Sequence, residues 1–153
     1  MRPNIRRPKK ILMANTQKLS EIMTPNPVTL PCKAGIVEAA RLMKTEDIGD
    51  VVVLDGDRAC GIVTDRDLVV RALAEGLDIN STSLNDICTK DLVSLTPNDT
   101  VADAVELMRD KAIRRLVILE GSSPVGVVSI GDLAIESNGE SALADISAAE
   151  PNN

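Results

Sequence analysis

Gly61-Ile62-Val63-Thr64-Asp65-Arg66-Asp67-Leu68 reads as a strand that ends on a hydroxyl, turns tightly and enters a helix beside a carboxylate. The segment Gly126-Val127-Val128-Ser129-Ile130-Gly131-Asp132-Leu133 keeps the same order: glycine, two β-branched residues, a hydroxyl, two variable positions, Asp and Leu. In such a turn the hydroxyl and the carboxylate face one small volume beside helix N–H groups that have no intrahelical partner. That volume suits a sugar or a phosphate. It equally suits an ordinary helix start, with Thr64 and Ser129 as caps and the acids set against the helix dipole. One copy alone favours the ordinary start; two copies in matching surroundings favour a site.

The surroundings do match. Shifting the chain by about 65 residues lays Leu19–Leu68 over Leu84–Leu133 without a gap, and about a third of the positions are identical. Leu19 pairs with Leu84, Ile22 with Ile87, Val28 with Val93, Leu30 with Leu95, Met43 with Met108, Gly56 with Gly121 and Gly61 with Gly126. Val28–Leu30 and Val93–Leu95 alternate as short strands do. Ile36, Ala39, Ala40, Leu42, Met43 and Ile48 are spaced for one helical face, and Val101, Ala104, Val105, Leu107, Met108 and Ile113 repeat it. Asp99 or Thr100 caps the second of these helices and Asp103 charges its first turn; Gly35 starts the first helix more weakly. Val51–Leu54 and Leu116–Leu119 are apolar runs of strand length, followed by turn chemistry at Gly56 and Gly121. Cys60–Thr64 and Val125–Ser129 close the hairpins, and helices follow over Asp65–Glu75 and from Ile130 to about Ser137. The expected fold is α+β, two β-α-β-β-α units packed sheet to sheet, because one unit of about 55 residues buries too little alone.

The composition narrows the chemistry. The chain has 153 residues, 44% of them apolar, and no Phe, Tyr, Trp or His. Its core is therefore aliphatic, and histidine-based triads and metal ligands are excluded. No apolar run is long enough to span a membrane, and a cytoplasmic location is expected. The net charge of −6 disfavours nucleic acid, although Arg2, Arg6, Arg7, Lys9 and Lys10 give the N-terminus a basic tail. Cys32, Cys60 and Cys88 match no zinc or disulfide framework. Cys60 reads as a small buried hydrophobe, and Cys32 lies on a loop without an activating partner. The expected segments are a tail at 1–18, repeats at 19–76 and 84–139 joined by 77–83, and a short C-terminal helix and tail at 140–153.

From Leu19 to Ser137 the chain resembles a tandem pair of CBS domains, the cystathionine-β-synthase-type repeats that form a Bateman module. Gly61–Asp67 and Gly126–Asp132 carry the resemblance, with Ile22-Met23-Thr24-Pro25 and Arg114-Arg115-Leu116-Val117-Ile118 in support. It implies a pseudo-twofold module that dimerises through its helices. It also implies a non-catalytic, ligand-sensing role, with clefts that take AMP, ADP, ATP or S-adenosylmethionine and no required cofactor. In the family the motif Asp holds ribose and the hydroxyl residue contacts ribose or phosphate. By position these are Asp67 with Thr64, and Asp132 with Ser129. A basic residue before the second strand meets phosphate; here it is Arg115, with Arg114 beside it. In the first repeat those positions hold Asp50 and Gly49, and Arg66 is the compensating cation. The cleft of Ser129, Asp132 and Arg115 is thus the expected nucleotide site. The plain alternative is that Arg115 pairs with Asp110 or Glu120 on the surface. The alternative function is a ligand-free dimeric adaptor or stress-response protein that acts through protein–protein contacts.

Overall fold

The computed structural model describes residues 16–137. The expected basic tail and C-terminal helix lie outside these residues, apart from the last residues of the tail.

Each half builds the same units. The first half contains β1 (Thr24–Pro25), β2 (Thr29–Pro31), α1 (Ile36–Glu46), β3 (Asp50–Asp55) and β4 (Arg58–Thr64). Helix α2 follows as one helical turn, Asp65–Asp67, that widens into a π-helical stretch, Leu68–Leu73. The widening is visible in the bond that closes it: Ala74 N–H donates to the Val69 carbonyl, five residues back. The regular helix expected to Glu75 is therefore tighter at its start and looser beyond. The second half has α3 (Leu84–Ile87), β5 (Ser94–Leu95), α4 (Val101–Lys111), β6 (Arg115–Glu120), β7 (Ser123–Ser129) and α5 (Ile130–Ser137).

Helix starts follow the side chains available. Thr100 caps α4: its hydroxyl accepts the Asp103 N–H and donates to the Asp103 carboxylate, which also accepts the Thr100 N–H. These bonds from Thr100 hold the Asp103 carboxyl below its usual range. Gly35 starts α1 without any side-chain bond.

Two sheets result, in the orders β2-β3-β4 and β1-β7-β6-β5. Within each, a parallel pair (β2 with β3, β5 with β6) is bridged by α1 or α4, and a tight hairpin adds β4 or β7. Both hairpins carry a bulge at the same place, between Val53 and Leu54 and between Ile118 and Leu119. Val52 and Val117 point from the sheet centres into a shared layer with Ala59 and Val127. That layer is the sheet-to-sheet contact of the pseudo-twofold module. On the outer faces the helices cover aliphatic clusters, one around Ala39, Met43, Val51 and Val53, the other around Ala104, Met108, Leu116 and Ile118.

The lead-in segments cross over. Leu19 is fully buried among Val101, Ala104 and Leu116 of the second half. Strand β1 pairs with β7, so Thr24 lies opposite Val127. Reciprocally, Leu84 and Ile87 are buried in the first-half core, and Thr89 bridges Ile62 of β4. The sequence repeat and the spatial unit are therefore offset by one segment. Among the described residues no helix is long and apolar enough to cross a membrane.

Candidate functional site

Strand β4 ends at Thr64 and β7 at Ser129, and both residues cap the helix that follows. The Thr64 N–H and hydroxyl donate to Asp67 Oδ2 at 2.8 and 2.9 Å, and the hydroxyl accepts the Asp67 N–H at 3.2 Å. The Ser129 N–H and hydroxyl donate to Asp132 Oδ2 at 2.7 and 2.8 Å. The ordinary helix start is thus real at both copies, and it uses one oxygen of each carboxylate.

The second oxygens differ. Asp67 Oδ1 is held by Arg71 Nε at 3.3 Å. Arg71 Nη1 also donates to the Ile87 carbonyl at 3.0 Å and to the Thr89 hydroxyl at 3.3 Å, which ties the motif to the crossed lead-in. Asp132 Oδ1 has no such partner among the described residues, because Glu136 stands where Arg71 does in the first copy. Sequence reasoning missed Arg71; its spacing of four residues from Asp67 on one helix is the signal that was available.

A cavity of about 450 Å³ opens beside the first motif. Thr64, Arg66 and Asp67 line it from the first half, Thr89 and Asp91 from the crossed lead-in, and Arg114 and Arg115 from the start of β6. Ile62, Leu92, Val93 and Val117 supply aliphatic walls. Ser129 and Asp132 do not line it. The basic pair Arg114 and Arg115 lines the cavity of Thr64 and Asp67, and Arg115 also lies opposite Ser129 in the β6–β7 register.

The reason is the pseudo-twofold packing. Arg115 opens β6 and Asp50 opens β3, at equivalent positions that the face-to-face sheets bring together. Arg115 Nε meets Asp50 Oδ2 at 2.7 Å, so its acidic partner is neither Asp110 nor Glu120. Gly49 leaves the room this needs: a Cβ there would lie 2.8 Å from Arg115 Nη2. Burial pushes the Asp50 carboxyl above its usual range; Arg115 pulls it back, and Asp65 and Asp132 push it further. Asp50, read from sequence as a bare carboxylate that repels phosphate, is thus neutralised by the cation meant to attract it. Arg66 and Arg114 make no side-chain ion pair among the described residues, which leaves two guanidinium groups at the cavity wall free for an anion.

Comparisons with known proteins show the family and the fold. The family model for the CBS domain matches twice, at residues 19–73 and 84–139. The chain belongs to the CBS-domain family, as a tandem pair. The CBS domain-containing protein YhcV of Bacillus subtilis is 38% identical over 134 residues, covering 84% of this chain and 94% of that one. The CBS-domain containing protein ATU1752 from Agrobacterium tumefaciens superposes with a TM-score of 0.69 at 29% identity, covering 77% of this chain and 97% of that one. The CBS domain pair of MJ0100, solved with 5′-methylthioadenosine and S-adenosyl-L-methionine, superposes with a TM-score of 0.74 at 21% identity. It covers 82% of this chain and 99% of its own, a likeness of fold.

Proposed function

We propose that this CBS pair is a non-catalytic, cytoplasmic regulatory module that binds an adenosine-containing ligand in the cavity beside Thr64 and Asp67. One observation carries the reading: the Thr64 and Thr89 hydroxyls, the carboxylates of Asp65, Asp67 and Asp91, and two guanidinium groups outside any ion pair, Arg66 and Arg114, converge on one aliphatic-walled cavity between the repeats. The aliphatic walls suit a purine face. Asp67 suits ribose hydroxyls, and Arg114 with Arg66 suits phosphate through charge-assisted hydrogen bonds, while Arg115 is held by Asp50. The second motif, Ser129 with Asp132, would hold an adenosyl group through the open Asp132 Oδ1. AMP, ADP, ATP and S-adenosylmethionine are the candidate ligands.

The same reading includes a homodimer through the helices. Val69, Val70 and Leu73 on α2, Val105 on α4, and Ile130 and Ile135 on α5 are exposed apolar side chains. A second copy of the chain is the occupant that would cover them.

Isothermal titration with AMP, adenosine and S-adenosylmethionine tests the binding. Arg114→Ala should weaken AMP by about tenfold and leave adenosine nearly unchanged, whereas Asp67→Ala should weaken both. Equal losses of both ligands in Arg114→Ala would refute the phosphate assignment. No binding of any adenosine compound at millimolar concentration would favour a ligand-free adaptor.

A further inference from the structure

The three cysteines are far apart in sequence, yet Cys32, Cys60 and Cys88 line one cavity of about 450 Å³, separate from the ligand cavity described above. Cys32 follows β2, Cys60 lies in β4, and Cys88 ends α3 in the crossed lead-in. All three thiols are free. The fold does not need a thiol there, because the equivalent positions of the other half hold Pro97, Val125 and Met23.

The β4 bulge sets which way Cys60 faces. Val53 pairs with Gly61 and Leu54 with Ala59, so Cys60 is the extra residue. Cys60 packs against the same aliphatic cluster that contains Cys88, while Ala59 faces the opposite layer. Cys60 and Gly61 therefore share a face. On that face a Cβ at Gly61 would lie 3.1 Å from Cys88 Sγ and 3.4 Å from Cys88 Cβ. The Cys88 thiol thus rests on the residue beside Cys60. Among the described residues no group of three or more His, Cys, Asp or Glu is placed to hold a metal ion. A bond between two sulfurs needs only one pair and an ordinary Cβ separation.

We propose that Cys60 and Cys88 are a reversible thiol–disulfide pair that staples the crossed lead-in of the second half to β4. With a peroxide as oxidant, one cysteine thiolate attacks a peroxide oxygen, the O–O bond breaks, and a sulfenic acid and hydroxide form. The partner sulfur then displaces the sulfenic oxygen, the S–S bond forms, and water leaves with the thiol proton. An external dithiol reverses the reaction by exchange. The staple ends one residue before Thr89, which bridges β4 and lines the ligand cavity. Oxidation therefore acts on the strand edge that borders the ligand cavity.

Trypsin separates the three thiols, because Lys18, Lys33, Arg58, Arg66, Arg71 and Lys90 place them on residues 19–33, 59–66 and 72–90. The intact chain is treated with hydrogen peroxide at low excess, alkylated, digested and mapped without reductant. The expected product is one linked peptide joining 59–66 to 72–90, lost on adding dithiothreitol, in a chain of unchanged oligomeric mass. Cys32→Ser should retain the linkage; Cys60→Ser and Cys88→Ala should each abolish it. Cys60→Ser is the safer variant, since Cys60 is only partly buried. A link through Cys32, a link between chains, or sulfinic acid at Cys60 without any linked peptide would overturn the assignment.

Discussion

Arg115→Ala removes the guanidinium that pairs with Asp50 at the start of β3. In the intact chain Arg115 Nε lies 2.7 Å from Asp50 Oδ2, with side-chain exposures of 34% and 21%. A charge-assisted hydrogen bond contributes about 1.5–3 kcal/mol. Breaking a fully buried ion pair costs about 3–5 kcal/mol, but this pair is partly wetted, so the larger figure is discounted for solvent. The expected loss at neutral pH is about 1–2 kcal/mol. Its pH dependence is the sharper test. Burial raises the Asp50 carboxyl above its usual range, against the pull of Arg115. An acid whose folded pKa is raised holds its proton more readily when folded. It favours folding at low pH, and that advantage is lost as pH rises from the unfolded value through the folded one. Without Arg115 the two influences that lower Asp50 vanish, and Asp65 and Asp132 still push it up. The window therefore extends to higher pH. The deficit of Arg115→Ala relative to the parent should be largest near neutrality and shrink on acidification, and Asp50→Asn should relieve it in the double variant. Urea unfolding followed by far-ultraviolet circular dichroism measures this, since the chain has no aromatic reporter. A deficit that stays constant or grows between neutral pH and about pH 4.5 would refute the claim that an unpaired Asp50 is its cause.

Gly35→Ser places a hydroxyl at the uncapped start of α1 with Glu38 three residues on, so it should stabilise the chain by about 0.5–1 kcal/mol in thermal unfolding, whereas Thr100→Ala should cost about 1 kcal/mol. Leu19→Ala and Leu84→Ala should each cost about 2–5 kcal/mol, because both side chains are fully buried in the opposite half; a small loss would show that the lead-ins are not docked as described. Gly61→Ala sets a Cβ 2.8 Å from the Thr89 backbone carbonyl and should cost about 1–3 kcal/mol, measured by the same urea unfolding.

The sequence by itself determined the architecture. Period-2 and helical spacings, recurring in step with the turn glycines Gly56 and Gly121, prescribe two like units, and aliphatic runs such as Val51–Leu54 prescribe strands covered on both faces. The caps at Thr64, Ser129 and Thr100 were legible too, because a capping hydroxyl and its carboxylate lie three residues apart. Only the tertiary structure decided the rest. Two lead-ins with the same pattern fit either half equally well on paper, and nothing local says that Leu19 docks among Val101 and Ala104 while Leu84 docks beside Ala39. The reach of Arg115 depends on face-to-face sheets that set Asp50 before it, and only that packing adds Arg115 to the wall of the Thr64 and Asp67 cavity. The three cysteines share a cavity only once α3 crosses to the edge of β4. Local patterns specify elements because they act within a turn or a strand; partners across a pseudo-twofold axis are chosen by docking, which sums contacts over residues remote in sequence.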